Sequence, residues 1–250
     1  MIKTDKFQCM LAYKVGKKQT DWSDTYLQPK LDGVRCYITK DGAFSRNHKR
    51  FHNADHILRD LEYVFIEYPD IILDGELYNH KLKDNFNKII SLVRKQKPTF
   101  IEMDEARSLV QFHCYDMFHP GFAGLIYEKR ARWINELIEY FELKYTKSVD
   151  YYGVTSMTNA QIRHAVFLKL GYEGSILRYN KSYEQKRSYN LQKFKDFQDT
   201  EAKIIGWVEG QGKRTGTIGK FIAVDSNGVE FGMPIMGKQA MLEEMYDIAE

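Results

Sequence analysis

The sequence predicts an α+β fold of mostly antiparallel sheets with flanking helices, followed by a small all-β segment. Three observations carry this. Short apolar runs of strand character recur along the first 199 residues. Helical segments are interspersed among them without strict alternation, which argues against a doubly wound parallel sheet. The composition then changes near Asp199, and three strand-like runs follow in quick succession.

In chain order the strand-like runs are Tyr26–Gln28, Val34–Thr39, Ile71–Tyr78, Leu109–Tyr115, Gly174–Tyr179 and Leu191–Phe194. Phe86–Gln96 reads as a helix with Phe86, Ile89, Ile90 and Val93 on one face. Tyr127–Phe141 does the same with Ala131, Ile134, Leu137, Ile138 and Phe141. Asn159–Leu170 follows "TSMT", which offers N-cap hydroxyls, and stops at Gly171, a good residue just past a helix end. From Glu201 the runs "EAKIIGWVEG", "GTIGKFIAVD" and "GVEFGM" read as strands, with Ser226-Asn227-Gly228 as a hairpin turn and a helical tail over Lys238–Ala249. Two domains are expected, 1–199 and 200–250, joined by a hinge near Asp196–Thr200. About 50 residues is short for a five-stranded barrel plus a helix.

At 250 residues, 43% hydrophobic and 28% charged, the chain can bury a core and stay in solution. Its net charge of +3 excludes a simple polybasic binder. Local basic clusters at Arg46–Arg50, Lys181–Lys195 and Lys213–Lys220 suit a phosphate-rich partner. Three cysteines, Cys9, Cys36 and Cys114, are odd in number and widely spaced, with no CxxC. That fits a reducing compartment and argues against a structural zinc. No apolar run has spanning length and the N-terminus lacks a signal-peptide core, so a cytosolic protein is expected.

The chemistry begins at "KLDGVR", between the strand-like runs Tyr26–Gln28 and Val34–Thr39. Asp-Gly is a common hairpin signal, so a surface turn is the plain alternative. Against it, four fixed residues at about one in twenty each recur by chance about once in 10⁵ positions. A lysine attacks only as the neutral amine, which burial and neighbouring cations favour. Lys30 has Arg35 nearby, Asp32 to orient it, and Gly33 to let the backbone approach a ligand.

Complementary groups recur downstream. "ILDGELY" sets Asp74 and Glu76 on one face of a strand. "YEGSILRY" opens on Glu173 and carries Arg178 near its other end. "LQKFKDF" aligns Lys193 with Lys195. Carboxylates and cations at strand positions need partners, and together they describe a cleft for a triphosphate and a divalent ion.

"KLDGVR", "SRNHK", "LDGELY", "YDMF", "EGSILR" and "LQKFKDFQDTEAKIIG" occur in the order of the motifs of ATP-dependent DNA ligases. The chain resembles that family, within the covalent nucleotidyltransferases, and most of all its small bacteriophage-encoded members. The resemblance runs from "CMLAYK" to the end. It implies an ATP-grasp-like nucleotidyltransferase domain of antiparallel sheets over 1–199, and all or part of an OB-fold barrel over 200–250. It implies ATP as AMP donor, Mg²⁺ or Mn²⁺, a nicked double-stranded DNA partner, a monomer, and action in the host cytoplasm if phage-encoded.

The resemblance also implies roles. Lys30 would form the phosphoramidate to AMP, with Leu31 beside it in the nucleotide site. Gln28 would contact the adenine edge and Arg35 the ribose or phosphate. Arg46 would grip the 5′-phosphate of the nick. Glu76 would bind the ribose hydroxyls and, with Glu173, the metal. Tyr115 would stack on adenine, where many relatives carry Phe. Lys193 and Lys195 would neutralise the α-phosphate and the departing pyrophosphate. Members usually close their OB domain with a basic motif, and none lies between Gly232 and Glu250. Either the chain is shortened or its barrel is reduced.

Other features are set aside. His48, His52 and His56 share helical spacing, but their turn-like context favours ordinary surface histidines. "GQGKRTGTIGK" lacks phosphate-loop spacing and reads as a flexible hairpin that touches DNA backbone. The rival functions are an RNA ligase, a capping-type enzyme and an inactive nick-binding module.

Overall fold

The computed structural model describes residues 7–16, 21–194, 202–225, 228–235, 237 and 239–249. The chain divides into two compact units, residues 1–196 and 197–250. The first unit runs β1 (Leu11–Lys14), β2 (Thr25–Lys30), β3 (Val34–Thr39), β4 (Gly42–Phe44), α1 (Asp55–Asp60), α2 (Glu62–Glu67), β5 (Ile72–Tyr78), α3 (Phe86–Val93), α4 (Phe100–Leu109), β6 (Gln111–Phe118), α5 (Tyr127–Tyr140), β7 (Thr146–Ser148), β8 (Tyr152–Val154), α6 (Met157–Lys169), β9 (Gly174–Tyr179) and β10 (Arg187–Phe194).

These strands form two five-stranded sheets, ordered β1-β10-β9-β2-β8 and β4-β3-β5-β6-β7. Both are mainly antiparallel, as expected, but each holds one parallel pair, β1 with β10 and β6 with β7. Alternation along the strands gives each sheet one apolar face and one that carries polar site residues beside a smaller apolar cluster of Tyr37, Ile72, Phe118 and Leu191. In β2, Leu27 packs with Leu177 of β9 and with Ala160 and Phe167 of α6, while Gln28 and Lys30 point the other way. In β3, Val34, Cys36 and Ile38 join Leu73 and Leu77 of β5 in the main core, against Ile89 and Val93 of α3 and Ile134 and Leu137 of α5. Residues of these second faces, from both sheets, line one cleft.

"KLDGVR" is not a hairpin. Lys30 ends β2, which pairs with β8 and β9, and Val34 begins β3, which pairs with β4 and β5 in the other sheet. The three residues between them cross from sheet to sheet. Gly33 is required there by close approach: a Cβ would lie 2.6 Å from the Leu77 carbonyl oxygen and 2.6 Å from the Glu76 Cγ.

Several predicted boundaries move for local reasons. α6 starts at Met157 because the Ser156 hydroxyl caps it, accepting from the Asn159 N–H at 3.1 Å. The strand expected from Leu109 begins at Gln111, because α4 runs to Leu109 from a capping box of Thr99 and Glu102. The second unit holds a three-stranded antiparallel sheet of β11 (Lys203–Glu209), β12 (Ile218–Val224) and β13 (Glu230–Pro234), followed by α7 (Gln239–Ala249). α7 lies against the sheet, with Trp207 and Tyr246 in edge contact at 5.0 Å. The sheet is consistent with part of an OB-fold, without a closed barrel among the described residues. "GQGKRTGT", residues 210–217, forms the β11–β12 hairpin loop, with Gly212 and Gly216 at positive φ, and the "IGK" that follows begins β12. The turn at Ser226-Asn227 lies outside the described residues, as do Lys195 and the expected hinge at Asp196–Thr200.

Candidate active site

Strand register assembles the site. Lys30 faces Gly174 across the β2–β9 pair, Gln28 faces Ile176, and Tyr26 faces Arg178. On the neighbouring strand, Lys193 faces Ile176 and Leu191 faces Arg178. Residues two apart share a face, so Gln28, Lys30, Ile176, Arg178, Leu191 and Lys193 lie together. From the second sheet, Arg35 lies directly opposite Glu76.

Tyr115 arrives by a different device. Asp74 pairs with Asp116 and Gly75 with Cys114, so Tyr115 is the extra residue of a β-bulge in β6. Bulges re-aim side chains beside active sites. Here the bulge lets consecutive residues reach one partner: Asp116 bonds the Arg178 guanidinium, which also lies 5.3 Å from the Tyr115 ring. Gly75 accommodates the kink, since a Cβ would sit 2.4 Å from the His113 carbonyl oxygen.

The result is a cavity of about 280 Å³ lined by Gln28, Lys30, Leu31, Arg35, Arg46, Glu76, Tyr115, Glu173 and Lys193. All the site residues expected from the sequence line it except Lys195. Six cationic side chains and three carboxylates line the cavity altogether, a balance that suits a polyanion. The Lys30 Nζ contacts the Glu173 carboxylate, and the Glu173 N–H donates to the Lys30 carbonyl at 3.1 Å. Arg35 forks onto Asp74 at 2.6 and 3.1 Å and donates to the Met10 carbonyl at 2.9 Å. Asp74 is thereby fully buried, and it also accepts from the Tyr183 hydroxyl at 2.7 Å. Burial pushes the Glu76 carboxyl up to about 8, although the Arg35 and Lys30 charges pull the other way. Its Oε2 accepts from the Tyr115 hydroxyl at 3.4 Å.

A larger groove of about 660 Å³ shares Gly33, Arg35, Arg46 and Glu76 with this cavity and continues past Lys49, Arg50 and Arg94. Among the described residues, Arg46, Lys49 and Arg94 make no ion pair.

The histidines of helical spacing do not converge. His48 pairs its Nδ1 with the Tyr37 hydroxyl at 2.9 Å, while the Nε2 of His56 meets the Val110 carbonyl at 2.9 Å. His56 is half-buried rather than a surface residue. No group of three metal-ligating side chains occurs among the described residues. Glu76 and Glu173 do line one cavity. Two hard oxygen donors suit a Mg²⁺-type ion held largely by substrate phosphates.

Sequence reasoning missed Arg187, which lines the cavity and donates to the Ala12 carbonyl at 2.6 Å. It also left Arg130 unassigned. The signal was present, because Arg130 interrupts an apolar face of Tyr127, Ala131, Ile134 and Leu137 in α5. A buried arginine must have a partner, and Asp116 is that partner, at 2.7 and 3.1 Å.

Lys30 thus lines a cationic cavity between two mainly antiparallel sheets. The chain belongs to the ATP-dependent DNA ligase domain family, whose model matches residues 9–195. It is 28% identical over 210 residues to the DNA ligase of African swine fever virus (strain Badajoz 1971 Vero-adapted), covering 78% of this chain and 48% of that protein. The chain thus spans about half the length of the curated relatives it matches first. Its fold is similar to that of a Lig E DNA ligase described as binding DNA with a minimal scaffold. The TM-score is 0.77 at 22% identity, covering 95% of this chain and 87% of the other. It is also similar to the bacteriophage T7 ATP-dependent DNA ligase in complex with ATP. There the TM-score is 0.61 at 17% identity, with 98% and 86% covered.

Proposed function

We propose that this protein is an ATP-dependent DNA ligase that seals 5′-phosphate/3′-hydroxyl nicks in duplex DNA through lysyl-AMP and DNA-adenylate intermediates. The observation that carries the reading is the Lys30 amine in a cavity with Glu173, Glu76, Arg35, Tyr115 and Lys193. In this reading residues 1–199 are the adenylation domain and 200–250 an OB-type domain. The enzyme works as a monomer in the cytoplasm, of a host cell if phage-encoded. That no helix among the described residues is long and apolar enough to cross a membrane is compatible with this.

The steps follow from the charges. The Lys30 Nζ lone pair attacks the α-phosphorus of ATP; a P–N bond forms as the bond from that phosphorus to the bridging oxygen breaks, pyrophosphate leaves, and the nitrogen loses a proton to water. Lys193 and Lys195 neutralise the α-phosphate and the leaving group. Arg35, anchored on Asp74, holds ribose or phosphate without reorganising. Tyr115 stacks on the base and Gln28 meets its edge. Glu76 binds the ribose hydroxyls. With Glu173 it would hold Mg²⁺ or Mn²⁺, which when bound lowers the phosphates' charge and orients them. Arg46 then presents the nick 5′-phosphate, which takes AMP from Lys30. The 3′-hydroxyl attacks that phosphate and AMP leaves. Such transfers depend on alignment and charge neutralisation, and little on acid–base catalysis.

The test is incubation of the purified protein, checked by mass for pre-bound AMP, with α-labelled ATP and Mg²⁺. Label that stays with the denatured wild type, survives alkali and is released by warm acid, as a P–N bond requires, is expected, and none on Lys30→Ala. A folded wild type that takes no label refutes the assignment, and label retained on Lys30→Ala refutes the nucleophile. Sealing of nicked DNA against nicked RNA then fixes the polymer.

A further inference from the structure

Four buried polar side chains that the proposed chemistry does not use as reactants form a chain from the cavity wall, where Gln28 and Arg178 sit, to Asp116 and Arg130, which do not line it. Gln28, Arg178, Asp116 and Arg130 are each at most 5% exposed. Arg130 forks onto Asp116, which also accepts from the Met117 N–H at 2.8 Å. Asp116 holds the Arg178 Nη1 at 2.7 Å. Arg178 lies between the Tyr115 and Tyr127 rings, 5.3 and 4.9 Å from their centres, and its Nε donates to the Gln28 Oε1. The Gln28 Nε2 donates to the Val149 carbonyl at 3.2 Å.

An amide side chain ordinarily turns over to suit its ligand. Here it cannot, because a guanidinium only donates and a carbonyl only accepts. Turning Gln28 over would set its NH₂ against Arg178 and its oxygen against the Val149 carbonyl, losing two buried hydrogen bonds. Gln28 therefore keeps one free lone pair on Oε1 and one free N–H on Nε2. That pattern matches adenine, which offers an amino donor beside a ring-nitrogen acceptor. Guanine presents an oxygen where adenine has the amino group, and the locked Oε1 repels it.

We propose that Arg178, anchored by Asp116 and Arg130, is a positioning residue that sets adenine-over-guanine selection by fixing the orientation of Gln28. The inference rests on the reading of the cavity as a nucleotide site. Arg178 is a better place to probe it than Asp116, since Asp116 keeps its Arg130 fork when Arg178 is replaced.

The experiment measures ATP and GTP binding by titration calorimetry without divalent metal, so that no transfer occurs, on wild type, Arg178→Gln, Arg178→Lys and Gln28→Ala. Wild type should prefer ATP. Arg178→Gln should lose about 10- to 100-fold of the ATP:GTP ratio, the scale of one bidentate base contact. Arg178→Lys should fall between, because an ammonium lacks the fork needed to hold Gln28 and Asp116 together. It carries the test if Arg178→Gln does not fold. Gln28→Ala should lose as much as Arg178→Gln, and the double variant no more than either. A ratio unchanged in the Arg178 variants, with both nucleotides weakened together, overturns the proposal and leaves Arg178 a packing residue. Absence of binding by either nucleotide to wild type overturns it too. A ratio that responds to Arg178 while labelled ATP leaves Lys30 unmodified sustains this inference and removes only the ligase reading.

Discussion

Gly33 shows how one missing atom sets the site. A Cβ there would meet the backbone of β5 and the Glu76 side chain at 2.6 Å, inside any permitted contact. Gly33→Ala should therefore push Glu76 and lower stability by about 1–3 kcal/mol, the usual cost of overpacking. Thermal unfolding and ATP titration check this, and an unchanged melting temperature contradicts it. A second residue carries a pH signature. Burial holds His113 down to about 4, and Lys147 pushes it the same way, so the folded chain keeps this ring neutral. The unfolded ring titrates near 6.5. Below that value the unfolded state binds the extra proton, so stability falls as pH drops from about 6.5 to about 4 and then levels off. At pH 5 the loss should be about 2 kcal/mol, and His113→Gln should flatten that part of the melting-temperature profile. An equally steep profile in the variant assigns the loss to other groups. The residues of "KLDGVR" and "LDGELY" were legible from sequence because charges on strand positions need partners. Arg187 was not, since an exposed arginine has no signature until β10 brings it beside Ala12.

Among the elements, periodicity identified those with one apolar face. β3 and β9 match their expected limits, and α3 and α5 bury the predicted stripes. Elements without such a stripe stayed hidden. α4 exposes Phe100 and Ile101 to solvent and buries only Ala106 fully, so its apolar residues do not trace a face. What specifies its start is local: the Thr99 hydroxyl accepts from the Glu102 N–H at 3.3 Å, and the Glu102 carboxylate accepts from the Thr99 N–H at 2.9 Å. This signal is readable in "PTFIE", but the apolar periodicity drew attention elsewhere. Thr99→Ala should cost about 1 kcal/mol and fray the first turn of α4. Denaturant unfolding measures the cost, and hydrogen exchange at residues 100–103 locates it. Undiminished protection there would show that tertiary packing alone holds the helix. The β-bulge at Tyr115 lies beyond sequence reading, because it exists only in the register between β5 and β6.

For the whole molecule, a net charge of +3 gives little general attraction to nucleic acid, so the binding that the proposed function requires would have to come from where the charge is placed. The 660 Å³ groove concentrates the charge, with Arg46, Lys49, Arg50 and Arg94 along its walls, and it shares Arg35 and Glu76 with the cavity that holds Lys30. A DNA strand whose nick 5′-phosphate sits at Arg46 would run its next phosphates past Lys49 and Arg94. Each phosphate neutralised releases counterions and adds about 0.9 to the slope of log K against log salt. Lys49→Ala/Arg94→Ala should therefore reduce that slope by about 2 for nicked duplex. Binding should weaken most at low salt, irrespective of base sequence. Anisotropy titrations over a range of salt concentrations measure the slope, with melting temperature as the control for folding. If affinity falls while the slope is unchanged, the groove does not follow the phosphates and the strand takes another path across the protein.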